Sequence, residues 1–453
     1  MDFEKNTYTQ GSILKNVWNL SWPIVSSYFL QTLVSLVDIK MVGALGQENI
    51  AAIGLANSAI FVVLMVMMGM TVGSTALVAR YAGEKSKEKV QLVIQNSFLL
   101  SLVLALILTS MGVLFPSQIL RWMGGEEQVV KIGTPFMQII SLGSVFLTLN
   151  MTFSGLMVGL GKSKTNLYIL GTINLLNIIG NYFFIYGSGI FPAMGAAGAA
   201  LASTLSRGIG VFLAWRTVNK WGFAVTKNHQ KKFHFDKEMM KKIVGIGLPV
   251  AIHALILRLS VIALNKVLSF TVYSTKAISA YTIGLATEAL SFMPGLAFST
   301  AATTLVGQNL GAGNPQGAEK SGWVAMKFAA GVMSILGLLL IVFSKQVIGF
   351  FTDDATVIKI GSHYLIVNAI AQPLIAVTMV ASGALRGAGD AKAPMFVALF
   401  SLWGVRIPLA VLLGLWLNFQ TDGVWLAMFA SILISSLYLS QRFKNGAWKN
   451  IKL

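Results

Sequence analysis

Ser154-Gly155-Leu156-Met157-Val158-Gly159-Leu160-Gly161-Lys162-Ser163-Lys164 recurs 228 residues later as Ser382-Gly383-Ala384-Leu385-Arg386-Gly387-Ala388-Gly389-Asp390-Ala391-Lys392. The register holds without a gap over residues 115–166 against 343–394. Outside that block, Ile53-Gly54-Leu55-Ala56 matches Ile283-Gly284-Leu285-Ala286, and Thr75-Ala76-Leu77-Val78 matches Thr303-Thr304-Leu305-Val306. The chain is therefore two homologous halves. In a strongly apolar chain this is the usual build of a membrane transporter, whose halves rock to open a central cleft to alternate sides.

Composition supports a membrane setting. The 453 residues are 55% hydrophobic and 11% charged, with mean hydropathy +0.73. A soluble protein carries roughly 25% charged residues, so this chain cannot clothe a water-facing surface of its size. The formal net charge is +18. The basic residues sit in short loops between apolar runs, which argues for contact with lipid headgroups and against nucleic acid. Cysteine is absent, which excludes thiol nucleophiles, disulfides and thiolate metal sites. The polar first dozen residues are not followed by a signal-peptide cleavage pattern, so the first apolar run is expected to be a genuine span.

Twelve apolar segments are each long enough for the ~20 residues a helix needs to cross a bilayer. They fall roughly at 14–42, 50–79, 91–114, 129–159, 165–187, 195–217, 243–270, 277–308, 322–344, 356–386, 393–417 and 423–441. The runs are continuous rather than alternating, so helices and not a barrel are expected. The fold class is an all-α polytopic membrane protein of two homologous six-helix lobes. The expected division is an N-lobe over 1–217, a basic cytoplasmic linker over 218–242 and a C-lobe over 243–453. The longest polar break, 216–242, carries Lys227, Lys231, Lys232, Lys237, Lys241 and Lys242. The N-terminus, the loops after even-numbered spans and the C-terminus hold about 23 Lys and Arg, against about four in the opposite loops, or six with Lys131 and Lys359. That bias places both termini in the cytoplasm of a cell whose inner membrane holds the protein. Six spans per half give a parallel repeat, with a symmetry axis along the membrane normal.

Ionisable residues within spans are expensive and so are functional candidates. They are Asp38, Arg207, His253, Arg258, Lys266, Glu288, Lys327, His363 and Arg406. Asp38 reads either as an interfacial residue or as a titratable switch. Pro23, fifteen residues earlier on the same helix, is a natural hinge. Asn174, Asn177 and Asn181 share one helical face. They read as structural hydrogen-bonding groups or, with Asp38 and Ser203, as a site for Na⁺ or a proton. Arg258 and Glu288 are expected at similar depth and are expected to approach each other, as a structural ion pair or in a substrate or proton role. The methionine run around Met65 and Met68 reads as core or lipid-facing surface, or as an adaptable pocket wall. Asn150 joins Asn174, Met65, Met68, Arg258 and Glu288 as a substrate-cleft candidate. The Gly-rich fragments 159–162 and 387–390 follow no strand and read as tight turns rather than phosphate loops. With no Walker A sequence and no nucleophile–base pair, the chain reads as a carrier and not an enzyme.

Several stretches together resemble the multidrug and toxic compound extrusion (MATE) transporters. They are Val37-Asp38-Ile39-Lys40-Met41-Val42-Gly43, the run from Glu288 through Pro294-Gly295 to Thr303-Thr304-Leu305-Val306-Gly307-Gln308-Asn309-Leu310-Gly311, and Leu385-Arg386-Gly387-Ala388-Gly389-Asp390. The resemblance covers essentially the whole chain. It implies a V-shaped pair of lobes and export of amphiphilic or cationic compounds by antiport with H⁺ or Na⁺, with no other cofactor. Within the DinF-like bacterial branch it implies coupling at Asp38, linked to bending at Pro23, with Asn177, Asn181 and Ser203 completing the cation site. Asn181 stands where that branch usually has a second acid, which weakens the case for Na⁺. Acids of the other branch, in the seventh and tenth spans, are absent here: the seventh has His253, Arg258 and Lys266, and the tenth has Asn368 and Gln372. The expected partners are small amphiphilic or cationic molecules and membrane lipids, not nucleic acid, and the expected state is a monomer. A lipid or lipid-linked saccharide flippase of the same superfamily is the alternative reading.

Overall fold

A computed structural model describes residues 8–43, 47–187, 191–223, 235–451 and 453. Among them there are helices and no strands. In chain order the helices are α1 (Ile13–Gly43), α2 (Gln47–Gly83), α3 (Lys87–Leu114), α4 (Pro116–Trp122), α5 (Glu127–Leu142), α6 (Ser144–Gly159), α7 (Ser163–Tyr186) and α8 (Ala196–Lys220). They continue as α9 (Lys237–Ser269), α10 (Ser274–Gly311), α11 (Pro315–Val342), α12 (Ser344–Gly349), α13 (Ala355–Gly387), α14 (Lys392–Leu399), α15 (Ile407–Val411) and α16 (Gln420–Asn445). Eleven stretches are long and apolar enough to cross a membrane, and the α5–α6 pair makes a twelfth. All twelve expected spans are present, so this is a multi-pass membrane protein.

Two spans differ from the expected continuous helices. The fourth bends by 45° at Gly143, between α5 and α6. In the eleventh, Phe400–Arg406 and Leu412–Trp416 are π-helical turns around α15, with Pro408 between them. Proline withholds its amide from the helical ladder, and a widened turn accommodates the missing bond. The short helices α4 and α12, which follow the third and ninth spans, were not legible as separate elements.

The chain divides into two compact units. One comprises Ser26–Ala251, the other Tyr8–Val25 with Ile252–Leu453. The division therefore falls within α1 and α9, two residues after Pro23 and two after Pro249, rather than in the linker between the halves. The expected linker is shorter than its polar composition suggested, because α8 runs to Lys220 and α9 begins at Lys237. Lys227, Lys231 and Lys232 lie outside the described residues.

Each unit explains its copy of the repeated motif. In the second, Cβ atoms at Gly383 and Gly387 would collide with the backbone carbonyls of Ser299 and Thr303 on α10. In the first, Cβ atoms at Gly155 and Gly159 would press on Thr71 and Thr75 of α2. The glycines let two backbones meet where no side chain fits, as small residues do in membrane helix crossings. Both motifs then end alike. Lys162 N–H bonds to Met157 O and Asp390 N–H to Leu385 O, each at 2.8 Å, with Gly161 and Gly389 at φ +76° and +95°. These are tight C-terminal turns of the expected kind, in which only glycine adopts the left-handed residue without strain. The copies diverge one residue later. Asp390 is bridged by Arg442 of α16 at 3.0 Å, whereas Lys162 lies over the Trp221 ring.

Candidate functional site

The first unit builds a polar cluster around Asp38. Asp38 sits in the last turns of α1, and its neighbours come from α7 and α8. Asn177 and Asn181 are one turn apart on α7 and are 5% and 1% exposed, so this face points into the protein as its spacing requires. Their buried amides need partners. Asn181 Nδ2 donates to Asp38 Oδ1 at 2.5 Å. In the orientation its neighbours satisfy, Asn177 Nδ2 also donates to Asp38 Oδ1, at 3.2 Å, while its Oδ1 accepts from Ser203 Oγ at 3.0 Å. Arg207, one turn beyond Ser203 on α8, lies within electrostatic reach of the carboxylate. Its backbone is fixed by Asn150 of α6, whose Nδ2 donates to Arg207 O at 2.7 Å. Tyr186 at the end of α7 adds a bond to Met41 O at 2.9 Å.

One atom in this cluster is left over. Asn181 Oδ1 is buried and has no hydrogen-bond partner among the described residues. Two amide donors and a nearby guanidinium suit an ionised Asp38. The idle carbonyl oxygen is an acceptor for a donor not present in that charge state.

The structure brings together Asp38, Asn177, Asn181 and Ser203, the residues singled out for ion coupling. Asn150 is a backbone brace. Asn174 is half-buried and makes no side-chain hydrogen bond among the described residues. Met65 is buried and Met68 is 41% exposed, so the methionine run does not present one face. Pro23 lies inside α1 and is buried.

The expected approach of Arg258 to Glu288 does not occur. Arg258 is exposed, whereas Glu288 is 2% exposed. Glu288 Oε2 accepts from the Tyr364 hydroxyl at 2.6 Å, and Arg406 is the guanidinium within electrostatic reach. Equal depth on one hairpin does not fix azimuth, and no ion pair joins Arg258 to Glu288 among the described residues. Gly284, part of the repeated Ile-Gly-Leu-Ala stretch, is where a Cβ would strike the Tyr364 ring. Tyr364 packs edge-on against Tyr281 and Trp425 at 5.4 and 4.9 Å between ring centres. Arg406 Nε donates to Ser431 Oγ at 2.8 Å from the first π-helical turn. Glu288 Oε1 and Trp425 Nε1 remain buried without hydrogen-bond partners among the described residues. Tyr364 was missed because a tyrosine in an apolar run gives no periodicity signal of its own.

Comparison with known proteins agrees with this architecture. The family model described as MatE matches residues 23–183 and 249–412. The chain is 28% identical over 448 residues to a probable multidrug resistance protein NorM of Thermotoga maritima, covering 96% of this chain and 93% of that one. It is 26% identical over 433 residues to an uncharacterized transporter YisQ of Bacillus subtilis, covering 96% and 94%. A solved outward-facing multidrug resistance MATE family transporter of the MOP superfamily superposes with a TM-score of 0.88 at 23% identity, over 99% of each chain. A Pyrococcus furiosus MOP superfamily transporter gives 0.87 at 23% identity, over 98% and 99%.

Proposed function

The chain belongs to the MatE family, and we propose that it is a secondary antiporter that exports amphiphilic, cationic organic compounds by alternating access, driven by inward movement of H⁺. The observation that carries the reading is the Asp38 cluster: a half-buried carboxylate held by two amide donors, with one buried acceptor idle beside it. When a proton reaches Asp38, its hydroxyl becomes a donor. The Asn181 amide then turns to offer Oδ1, and the attraction to Arg207 is lost. Protonation thus exchanges one complete hydrogen-bond set for another, which is the property of a two-state element. Pro23, about 22 Å along α1 by the 1.5 Å rise per residue, supplies the place where that helix can bend. Substrate that favours the other state is released as the proton binds, so the two fluxes are linked.

Na⁺ is the runner-up ion. It would take oxygens from Asp38, Asn177, Asn181 and Ser203, but it would have to enter where two N–H₂ groups and a guanidinium already face the carboxylate. That arrangement favours the proton. Multidrug export rather than lipid flipping is supported by relatives described as multidrug resistance proteins. The test is efflux of a cationic dye from proteoliposomes under a pH gradient or a Na⁺ gradient, imposed one at a time. Efflux that follows the pH gradient alone is expected. Efflux that follows Na⁺ alone would overturn the choice of ion, and a response to neither would overturn coupled antiport.

A further inference from the structure

Two half-buried arginines in the spans, Arg207 and Arg406, each face a carboxylate, Asp38 and Glu288. Arg386, in the last turn of α13, does not. Its hydrogen-bond partner is a histidine: Arg386 Nη2 lies 2.7 Å from His253 Nδ1, within the second unit. None of the ion pairs among the described residues includes Arg386, and its Nε is buried with no partner.

The chemistry of that contact is restrictive. A guanidinium has only donors, so His253 Nδ1 must be the acceptor and its ring must be neutral, with the proton on Nε2. The pair therefore carries one positive charge with no carboxylate against it. The C-terminus of α13 offers at most about half a compensating charge. A charge removed from water is costly unless it is paired. The two residues also present unused donors, since His253 Nε2–H and the remaining guanidinium N–H groups have no hydrogen bond among the described residues. Both side chains keep part of their surface open.

We propose that Arg386 and His253 form an oxyanion-binding site in the second unit, taking a carboxylate or phosphate group. The planar guanidinium fork matches such a group better than it matches a halide. The source is either a carboxylate on a transported molecule or the phosphate of a lipid headgroup. If it is the former, the substrate class extends from cations to compounds that carry an acid as well. The site is independent of the coupling ion, and its test needs no transport.

The experiment is thermal unfolding of the purified full chain in detergent, titrated separately with sodium benzoate and with short-chain phosphatidylglycerol, ionic strength being held with sodium chloride. A saturable rise of about 2 °C is expected with at least one probe. A rise with benzoate assigns the site to substrate carboxylates, and a rise with phosphatidylglycerol alone assigns it to lipid. The rise should vanish in Arg386→Gln. Should that variant not fold, His253→Glu carries the test, because it places a carboxylate where the imidazole accepts. It should raise the midpoint without added anion and abolish both responses. No saturable response in the unaltered protein, or a full response in either variant, would overturn the proposal.

Discussion

Asn181 Nδ2 stands 2.5 Å from Asp38 Oδ1, a bond that joins α7 to α1 across 143 residues of sequence. A donor aimed at a carboxylate in a half-buried cluster stabilises the ionised form and must be rearranged when the carboxylate is neutralised. Asp38→Asn removes the titratable group while keeping its size. Efflux driven by a pH gradient should fall at least tenfold, with an unchanged gel-filtration profile. Gradient-driven efflux at the original rate would remove Asp38 from the coupling step.

Asn181→Asp puts a second carboxylate at the same distance from the first. Two acids that close cannot both ionise cheaply, so the pair either retains a proton or takes a cation between them. The substitution also removes an N–H₂ donor that obstructs a metal ion. The expected outcome is greater Na⁺-driven efflux than in the parent protein, measured in the same proteoliposomes. An unchanged response to both gradients would mean that Asn181 does not set the ion preference.

The spans and the repeat were legible because both depend on properties written into every residue of a segment: apolar length, and a glycine pattern that permits close crossing. The Asp38 cluster was legible because Asn177 and Asn181 are one helical turn apart and polar in an apolar run. Ser203 reads as a further hydroxyl oxygen from the sixth span, and the resemblance points to the same residue. The Arg258–Glu288 pairing failed because depth along two helices can be counted from sequence, whereas rotation about their axes is set by packing. Tyr364 and Arg406 approach Glu288 through space that Gly284 leaves open and from a π-helical turn. Neither a missing Cβ nor a widened turn announces its neighbour in the sequence.

Tyr364→Phe tests how firmly Glu288 is held. The hydroxyl donates to Glu288 Oε2 at 2.6 Å, and Oε1 has no partner already. Removing the donor leaves a buried acid with fewer bonds, which costs about 1–3 kcal/mol. A drop in the unfolding midpoint is expected, and Glu288→Gln in the same background should recover part of it. Equal midpoints for Tyr364→Phe and the parent would mean that the hydroxyl contributes nothing net.

Asp354 caps α13 and lies outside the spans. Lys276, bonded to it at 2.8 Å, and the amides of Val357 and Thr356 hold its carboxyl below the ordinary aspartate value. A depressed folded value means that the ionised form is favoured by folding. Its contribution is complete above the unfolded value and is lost as pH falls through the folded one, from about pH 4 downward. Asp354→Asn keeps a capping side chain and removes the charge. The unfolding midpoint of the variant should decline less steeply over that acid range than that of the parent, and parallel curves would exclude the effect.

Gly383→Val tests whether the repeated motif is a crossing point or a ligand loop. A side chain at Gly383 meets the backbone carbonyl of Ser299, which cannot swing aside as a flexible side chain can. Thr303 Oγ1 also donates to Gly383 O at 2.8 Å, so separating α10 from α13 breaks a buried bond as well. Overpacking costs about 1–3 kcal/mol where neighbours can adjust, and more where backbone must move. The variant should unfold at a markedly lower temperature or fail to accumulate in the membrane. Gly171→Val, at a position where a Cβ meets nothing within 4 Å, should not. If the two variants behaved alike, close approach of α10 to α13 would not be what the second copy of the motif provides. The fold's most recognisable stretch would then need another physical reason.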